Sequence, residues 1–173
     1  RMAADPERPG SPFEIRLPGR PDTLRVVSFH AVEEASRLTR LHVRVTAADT
    51  SHAQLASLLG EPIVLTFLDD GAPLRTLAGI VARAETSGTV LHDRQVLSLT
   101  CVPSFWKLTR RRTRRIFQDL SSAEIASLLL AEWGVPSRFE LPIPPRKRGV
   151  AVQYDESDHA FLSRLFAEDG LHT

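Results

Sequence analysis

The chain is poor in cysteine and lysine, and it has no long apolar run. A single cysteine, Cys101, in 173 residues excludes an internal disulfide and a cysteine-rich zinc module. Lys107 and Lys147 are the only lysines among 22 basic residues, so arginine carries nearly all the positive charge. Its planar fork suits fixed pairing with carboxylates, as at an interface. No stretch approaches the ~18 apolar residues that a membrane span needs, and the opening "RMAADPERPGSP" has no h-region of a cleaved signal. The expectation is a soluble chain with no membrane span, not exported by a cleaved signal. A charge excess is missing too: 22 basic against 21 acidic residues leave a net +1, so there is no general attraction for nucleic acid or an anionic membrane. Any electrostatic partner must act locally. There is no internal repeat, no G-x-S-x-G elbow, no H-E-x-x-H pair and no phosphate-cradling glycine loop. Cys101 alternates with Leu97 and Leu99, which suits a small buried residue better than a nucleophile.

What is present is 42% hydrophobic residues, enough for one ordinary domain or two small ones. Pro6, Pro9, Gly10 and Pro12 make residues 1–12 a flexible lead-in. Residues 13–102 then run mostly with period two. "RLHVRV" puts Leu41, Val43 and Val45 on one face and Arg40, His42 and Arg44 on the other, as in a half-buried strand. "LRVVSFHAVE", "IVLTFL", "LRTLAGIVARAE" and "RQVLSLTCV" read alike, and Asp70-Gly71 after "IVLTFL" signals a hairpin. Strands with such short links predict an antiparallel sheet or barrel, interrupted by a short helix in "SHAQLASLLG" with Asp49 or Thr50 as cap and Gly60 as stop.

Residues 103–173 change texture. "LSSAEIASLLLAEWGVP" predicts a helix over Ser122–Trp133: Ser121 is the N-cap, Glu124 completes a capping box, and Leu120 and Ile125 stand at the staple positions. Ile125, Leu128, Leu129 and Trp133 supply its apolar face, and Gly134 and Pro136 end it. After the loop "LPIPPRKRG" comes a strand, "VAVQY", and then a second helix from about Ser157 to Asp169, with Asp155 or Ser157 as cap and Phe161, Leu162, Leu165 and Phe166 as its stripe.

Two clusters invite a chemical reading. Asp155, Glu156, Asp158 and His159 fall within five positions, the residue types of metal sites and acid/base catalysts. Adjacent helical residues diverge by about 100°, so Asp158 and His159 do not converge on one ion as an i, i+4 pair would, and negative charge at a helix start has a structural cause in the helix dipole. The alternative is a metal-dependent hydrolase using residues 155–159. The second cluster, "KLTRRRTRR", holds Arg110, Arg111, Arg112, Arg114 and Arg115. A nucleic-acid domain would use them on phosphates and stack bases on Phe105, Trp106 and Phe117. A pI near 8.2 and the absence of a known nucleic-acid module favour arginines that face water or meet carboxylates at an assembly joint, with Trp106 and Phe117 in packing. No catalytic residue, metal, cofactor or nucleic acid is expected.

The order of elements, with "RRIFQDLSSAEI" and the run from Gln153 and Tyr154 through Glu156, Ser157 and Asp158 to "FLSRL", resembles the type VI secretion spike proteins of the valine–glycine repeat G (VgrG) family from about Phe13 to Thr173. The chain departs from the family's pattern at Asp155, where a basic residue is usual, and at Ala151, where cysteine is frequent. The resemblance implies a mainly β (α+β) fold: an antiparallel, partly closed barrel of the phage tail hub type with two or three short helices. It implies a homotrimer in the full-length protein whose collar seats on hexameric tube rings and carries the puncturing tip. Assembly would take place in the bacterial cytoplasm, followed by secretion through the injection apparatus. Family members continue through more hub, a neck and a spike, so this stretch reads as a fragment, with effectors or adaptors attached through later regions.

Overall fold

A computed structural model describes residues 2–3, 12–18, 24–34, 37–47, 51–141 and 143–171. The proposed caps Asp49 and Thr50, and residues 4–11 of the proposed lead-in, lie outside that set. The chain divides into two compact units, one of residues 1–33 with 39–103 and the other of residues 34–38 with 104–173.

The first unit is one antiparallel sheet. Its strands are β1 (Met2–Ala3), β2 (Phe13–Arg16), β3 (Arg25–Val32), β4 (Arg40–Ala47), β5 (Pro62–Asp69), β6 (Ala72–Leu91) and β7 (Arg94–Val102), with helix α1 (His52–Leu58) between β4 and β5. β1 pairs with Phe29 and Ser28 of β3, so strand pairing begins before Phe13, inside the stretch read as lead-in. The spatial order is β1-β3-β4-β7-β6-β5-β2. Its middle is dry: Val43 faces Leu99 and Val45 faces Leu97 across the β4–β7 ladder, and all four are buried. This is the face that the alternation of Leu41, Val43 and Val45 predicts. The sheet curls into a half-barrel. Phe13 of β2 and Phe29 of β3 stand near opposite ends of the strand order, yet their rings lie 4.9 Å apart, and Phe67 of β5 makes edge contacts with both at 5.6 and 5.3 Å. Three edge-on rings thus hold the ends of the sheet together where, among the described residues, β2 and β3 form no ladder.

Turn chemistry fixes the registers. Asp70 (φ 48°) and Gly71 (φ 81°) both take positive φ between β5 and β6, the two-residue turn whose twist matches a hairpin. β6 reaches 20 residues, far beyond "LRTLAGIVARAE", because its first half pairs with β5 and its second with β7. Gly79 sits at that changeover, where an added Cβ would collide with the backbone carbonyl of Val102. Cys101 is buried, and desolvation pushes its thiol up to about 12, so it packs as a small apolar group.

The second unit contains a 3-10 segment (Ser104–Arg110), strand β8 (Arg112–Leu120), helix α2 (Ser122–Glu132), strand β9 (Arg148–Ser157) and helix α3 (Asp158–Glu168). β8 and β9 form a two-stranded antiparallel ribbon. Such a ribbon is marginal alone, and here the two helices bury its inner side: Leu108, Ile125, Leu129, Ala151, Phe161 and Leu162 make one core. α2 starts with a full capping box. The Ser121 hydroxyl accepts from Glu124 N–H, and the Glu124 carboxylate accepts from Ser121 N–H at 2.8 Å. That bond, with the Ser121 hydroxyl, holds the Glu124 carboxyl below its usual range. Leu128 is half exposed rather than core. Ile125, Ala126, Leu129 and Leu130 set the stripe, and at about 100° per residue Leu128 falls outside it. α3 is capped by Ser157, whose hydroxyl accepts from Ala160 N–H at 3.1 Å. Asp155 is not the cap: it stands within β9 at φ 50°, where the β8–β9 register slips by one residue.

Candidate assembly site around the arginine run

The start of β8 sorts the arginines by period two. Arg112 and Arg114 project to the exposed side of the ribbon, and Arg115 lies on the half-buried inner side. Arg111, just before the strand, turns inward.

Inward lies a closed polar network. Asp158, fully buried at the first position of α3, accepts from Arg111 Nε at 2.9 Å and from an Arg111 terminal nitrogen at 2.6 Å. It also accepts from Trp133 Nε1 and from Gln153 Nε2, each at 2.8 Å. The same Arg111 group reaches Glu132 at 2.6 Å, and Arg115 meets both Glu132 oxygens at 2.8 and 3.0 Å. Arg111 further lies 5.2 Å from the Trp133 ring centre, a cation–π distance. Electrostatics follow the geometry. Arg115 and then Arg111 hold the Glu132 carboxyl below its ordinary value against the opposing effect of burial. Desolvation would lower Arg111, but its bonds to Glu132 and Asp158 outweigh that and raise it. Gln153 is fully buried and donates also to the Glu156 carbonyl at 3.1 Å, while its Oε1 has no partner among the described residues.

The acidic run does not converge. Asp158 points into this network, Glu156 pairs with Arg164 at 2.7 Å, Asp155 is exposed, and the His159 ring packs at 5.1 Å from Phe105. Burial lowers the His159 pKa. Among the described residues, no three His, Cys, Asp or Glu side chains gather as a metal-ligand set. Tyr154, beside this run on β9, is exposed and carries Arg114 at 5.0 Å from its ring centre.

The arginine run is therefore two sets. Arg111 and Arg115 are spent inside the unit on Asp158 and Glu132. Arg110 lies over Trp106 at 5.2 Å, Arg112 donates to the Asp155 carbonyl at 2.6 Å, and Arg114 lies over Tyr154. None of these last three meets a carboxylate among the described residues. Reading the sequence alone missed Glu132 and the indole of Trp133 as members of the network. The available signal was the alternation of 111, 113, 115 and 117 once β8 is taken as a strand, which places Arg111 and Arg115 with Phe117.

Comparison with known proteins identifies the setting. The model of the phage tail baseplate hub family (GPD) matches residues 32–173. The chain belongs to this hub family. Its relatives include the type VI secretion spike protein VgrG4b of Pseudomonas aeruginosa, 32% identical over 163 residues, which cover 92% of this chain and 20% of that protein. The spike protein VgrG3 of Vibrio cholerae is 36% identical over 143 residues, covering 82% of this chain and 13% of that one. The hub chain thus spans a fifth or less of the length of these two relatives. Among solved structures, it superposes with a TM-score of 0.76 and 26% identity on an E. coli component of the type VI secretion system that is itself similar to the T4 phage tail proteins gp27 and gp5. That match covers 90% of this chain and 43% of the other. The curled, mostly β architecture with few short helices is the hub fold, and the resemblance to VgrG spike proteins carried by "RRIFQDLSSAEI" and the Gln153–Asp158 run holds.

Proposed function

We propose that this hub chain serves as a structural part of a type VI secretion spike: three copies close a collar, the collar seats on the hexameric tube rings, and regions beyond this stretch carry the tip and effectors. The observation that supports this most is the family match over residues 32–173 together with the half-barrel sheet. The spike role is the role of the relatives; trimerisation, seating and carriage are the steps proposed for this chain. Assembly is assigned to the cytoplasm, with export through the apparatus. No catalytic part is assigned to Asp155, Glu156, Asp158 or His159, since their side chains do not converge: Glu156 meets Arg164, Asp158 meets Arg111, His159 packs by Phe105 and Asp155 is exposed. Within the arginine run, the joint between subunits falls to Arg110, Arg112 and Arg114, because Arg111 and Arg115 already hold carboxylates. Light scattering on the full-length protein, with a pull-down on purified tube rings, tests the reading: a trimer mass and capture by the rings are expected, and a monomer that ignores the rings would overturn it.

A further inference from the structure

The outer face of the first unit's sheet sets two imidazoles side by side. His30 of β3 and His42 of β4 are direct partners across the antiparallel ladder, and both are exposed. Directly opposed residues have Cβ atoms about 4.5–5.5 Å apart, close to the separation of an i, i+4 pair on a helix, the spacing at which two histidines share one ion. His42 is also held in place. Its Nδ1 lies 3.2 Å from the hydroxyl oxygen of Thr100, its partner on the next strand, β7. His30 has no side-chain partner among the described residues.

We infer that His30 and His42 together bind one divalent transition-metal ion, each through one ring nitrogen, with water completing the coordination. Thr100 supplies the outer support: with Nδ1–H of His42 donating to its hydroxyl oxygen, Nε2 keeps the lone pair that a metal takes. Two protein ligands are fewer than the three-residue set that is missing among the described residues, so the site is open and exchangeable, not a structural one. Neutral imidazole suits zinc, nickel and copper, whereas magnesium and calcium take oxygen ligands. The neighbouring charges narrow the class further. Arg40 and Arg44 flank His42 on β4, and Arg83 of β6 stands opposite Thr100. Arg83 holds Glu85 at 2.6 Å, and Arg44 reaches the Thr89 hydroxyl at 3.5 Å. With cations on the rim there is no general attraction for positive ions, so binding rests on the two nitrogen donors and hard ions are excluded. The expectation of no metal rests on local motifs and does not reach a pair that only strand pairing brings together. The site goes beyond the hub reading, and metal binding and trimer formation stand or fall separately.

The test titrates the whole 173-residue chain with nickel(II), zinc(II) or magnesium(II) chloride at neutral pH in a buffer that does not chelate. Calorimetry should show one nickel or zinc ion per chain and no magnesium. His30→Ala and His42→Ala should each lower the nickel affinity about tenfold or more, and the double variant should lose little beyond either, because the chelate is gone once one imidazole is removed. Both side chains are exposed, and circular dichroism melts of the variants establish that they remain folded. His92→Ala, in the turn after β6, should leave the affinity unchanged. Histidine-ring NMR should show nickel broadening the signals of His30 and His42 together, at the same metal equivalent. Absence of nickel and zinc binding, equal binding of magnesium, broadening of only one of the two rings, or a single variant that binds as the unaltered chain does would overturn the proposal. Loss of the ion in His92→Ala would place it elsewhere and overturn it too.

Discussion

Removing Arg111 should be among the most damaging single changes in the second unit, and the structure gives its size. In Arg111→Ala the Asp158 carboxylate, with no exposure of its own, keeps Trp133 Nε1 and Gln153 Nε2 as its donors among the described residues and loses the Arg111 cation. Breaking a buried pair by deleting one partner costs about 3–5 kcal/mol. The Arg111 side chain is 33% exposed, so water can reach the vacated position and the lower end, about 3 kcal/mol, applies. Asp158→Asn should cost less, about 1–2 kcal/mol: the shape stays and Arg111 keeps Glu132, but a new NH2 group faces donors. The two losses should not add. With Asn already at 158 no charge is stranded when Arg111 goes, so the double variant should fall short of the sum by about 2 kcal/mol.

Urea unfolding followed by tryptophan fluorescence measures this locally, because Trp106 and Trp133 both belong to the second unit. Trp133 donates to Asp158 itself, so its emission also reports the network in the native state. A cost below about 1 kcal/mol for Arg111→Ala, or strict additivity in the cycle, would refute the reasoning and reduce the network to a solvent-screened surface pair.

Acid should weaken the fold in two steps. His159, its pKa lowered from 6.5 by burial, gives stability that is full above 6.5 and declines as pH falls through its folded-state value; Glu132, lowered from 4.5, gives stability full above 4.5 and lost below it. His159→Phe should remove the upper step from a pH series of melting temperatures, and an unchanged profile would count against it. Gly79→Ala forces a Cβ against the Val102 carbonyl and should cost about 1–3 kcal/mol in thermal melts; a wild-type melt would mean the ladder gives way freely. Asp93→Gly, at φ 58° in an exposed turn, should stabilise by about 0.5–1 kcal/mol, and a lower melting temperature would show that the Asp93 side chain does more than tolerate its turn.

How far the sequence could be read depended on whether the information was local. Ser121 and Glu124 lie three residues apart, so the start of α2 could be named from its own chemistry, and Asp70-Gly71 likewise. The dry face of β4 followed from the alternation of Leu41, Val43 and Val45. What could not be read involved partners far apart in the chain. Phe13, Phe29 and Phe67 meet only because the sheet curls. The length of β6 was hidden because Leu74 and Val90 are exposed, so no period marks its ends. "TRRRTRR" has no apolar residue to reveal alternation before Ile116. Without a known strand start, its arginines read as one patch instead of two sets with opposite directions.

The same distinction explains what the motif residues are for. Gln153, Ser157 and Asp158 could be taken for a chemical site because they are polar and crowded, yet their atoms are used within the unit: Ser157 starts α3, Gln153 donates to the Glu156 carbonyl and to Asp158, and Asp158 fastens α3 to Arg111 and Trp133. Arg111 precedes β8, Trp133 ends α2 and Asp158 starts α3, so one carboxylate joins the ends of three elements around a core that a two-stranded ribbon could not hold alone. A polar network of that kind specifies geometry as well as contributing energy, because its donors are satisfied in only one arrangement. On the opposite side of the ribbon Arg112, Arg114, Ile116 and Val152 are exposed, outside a network that has already used Arg111 and Arg115.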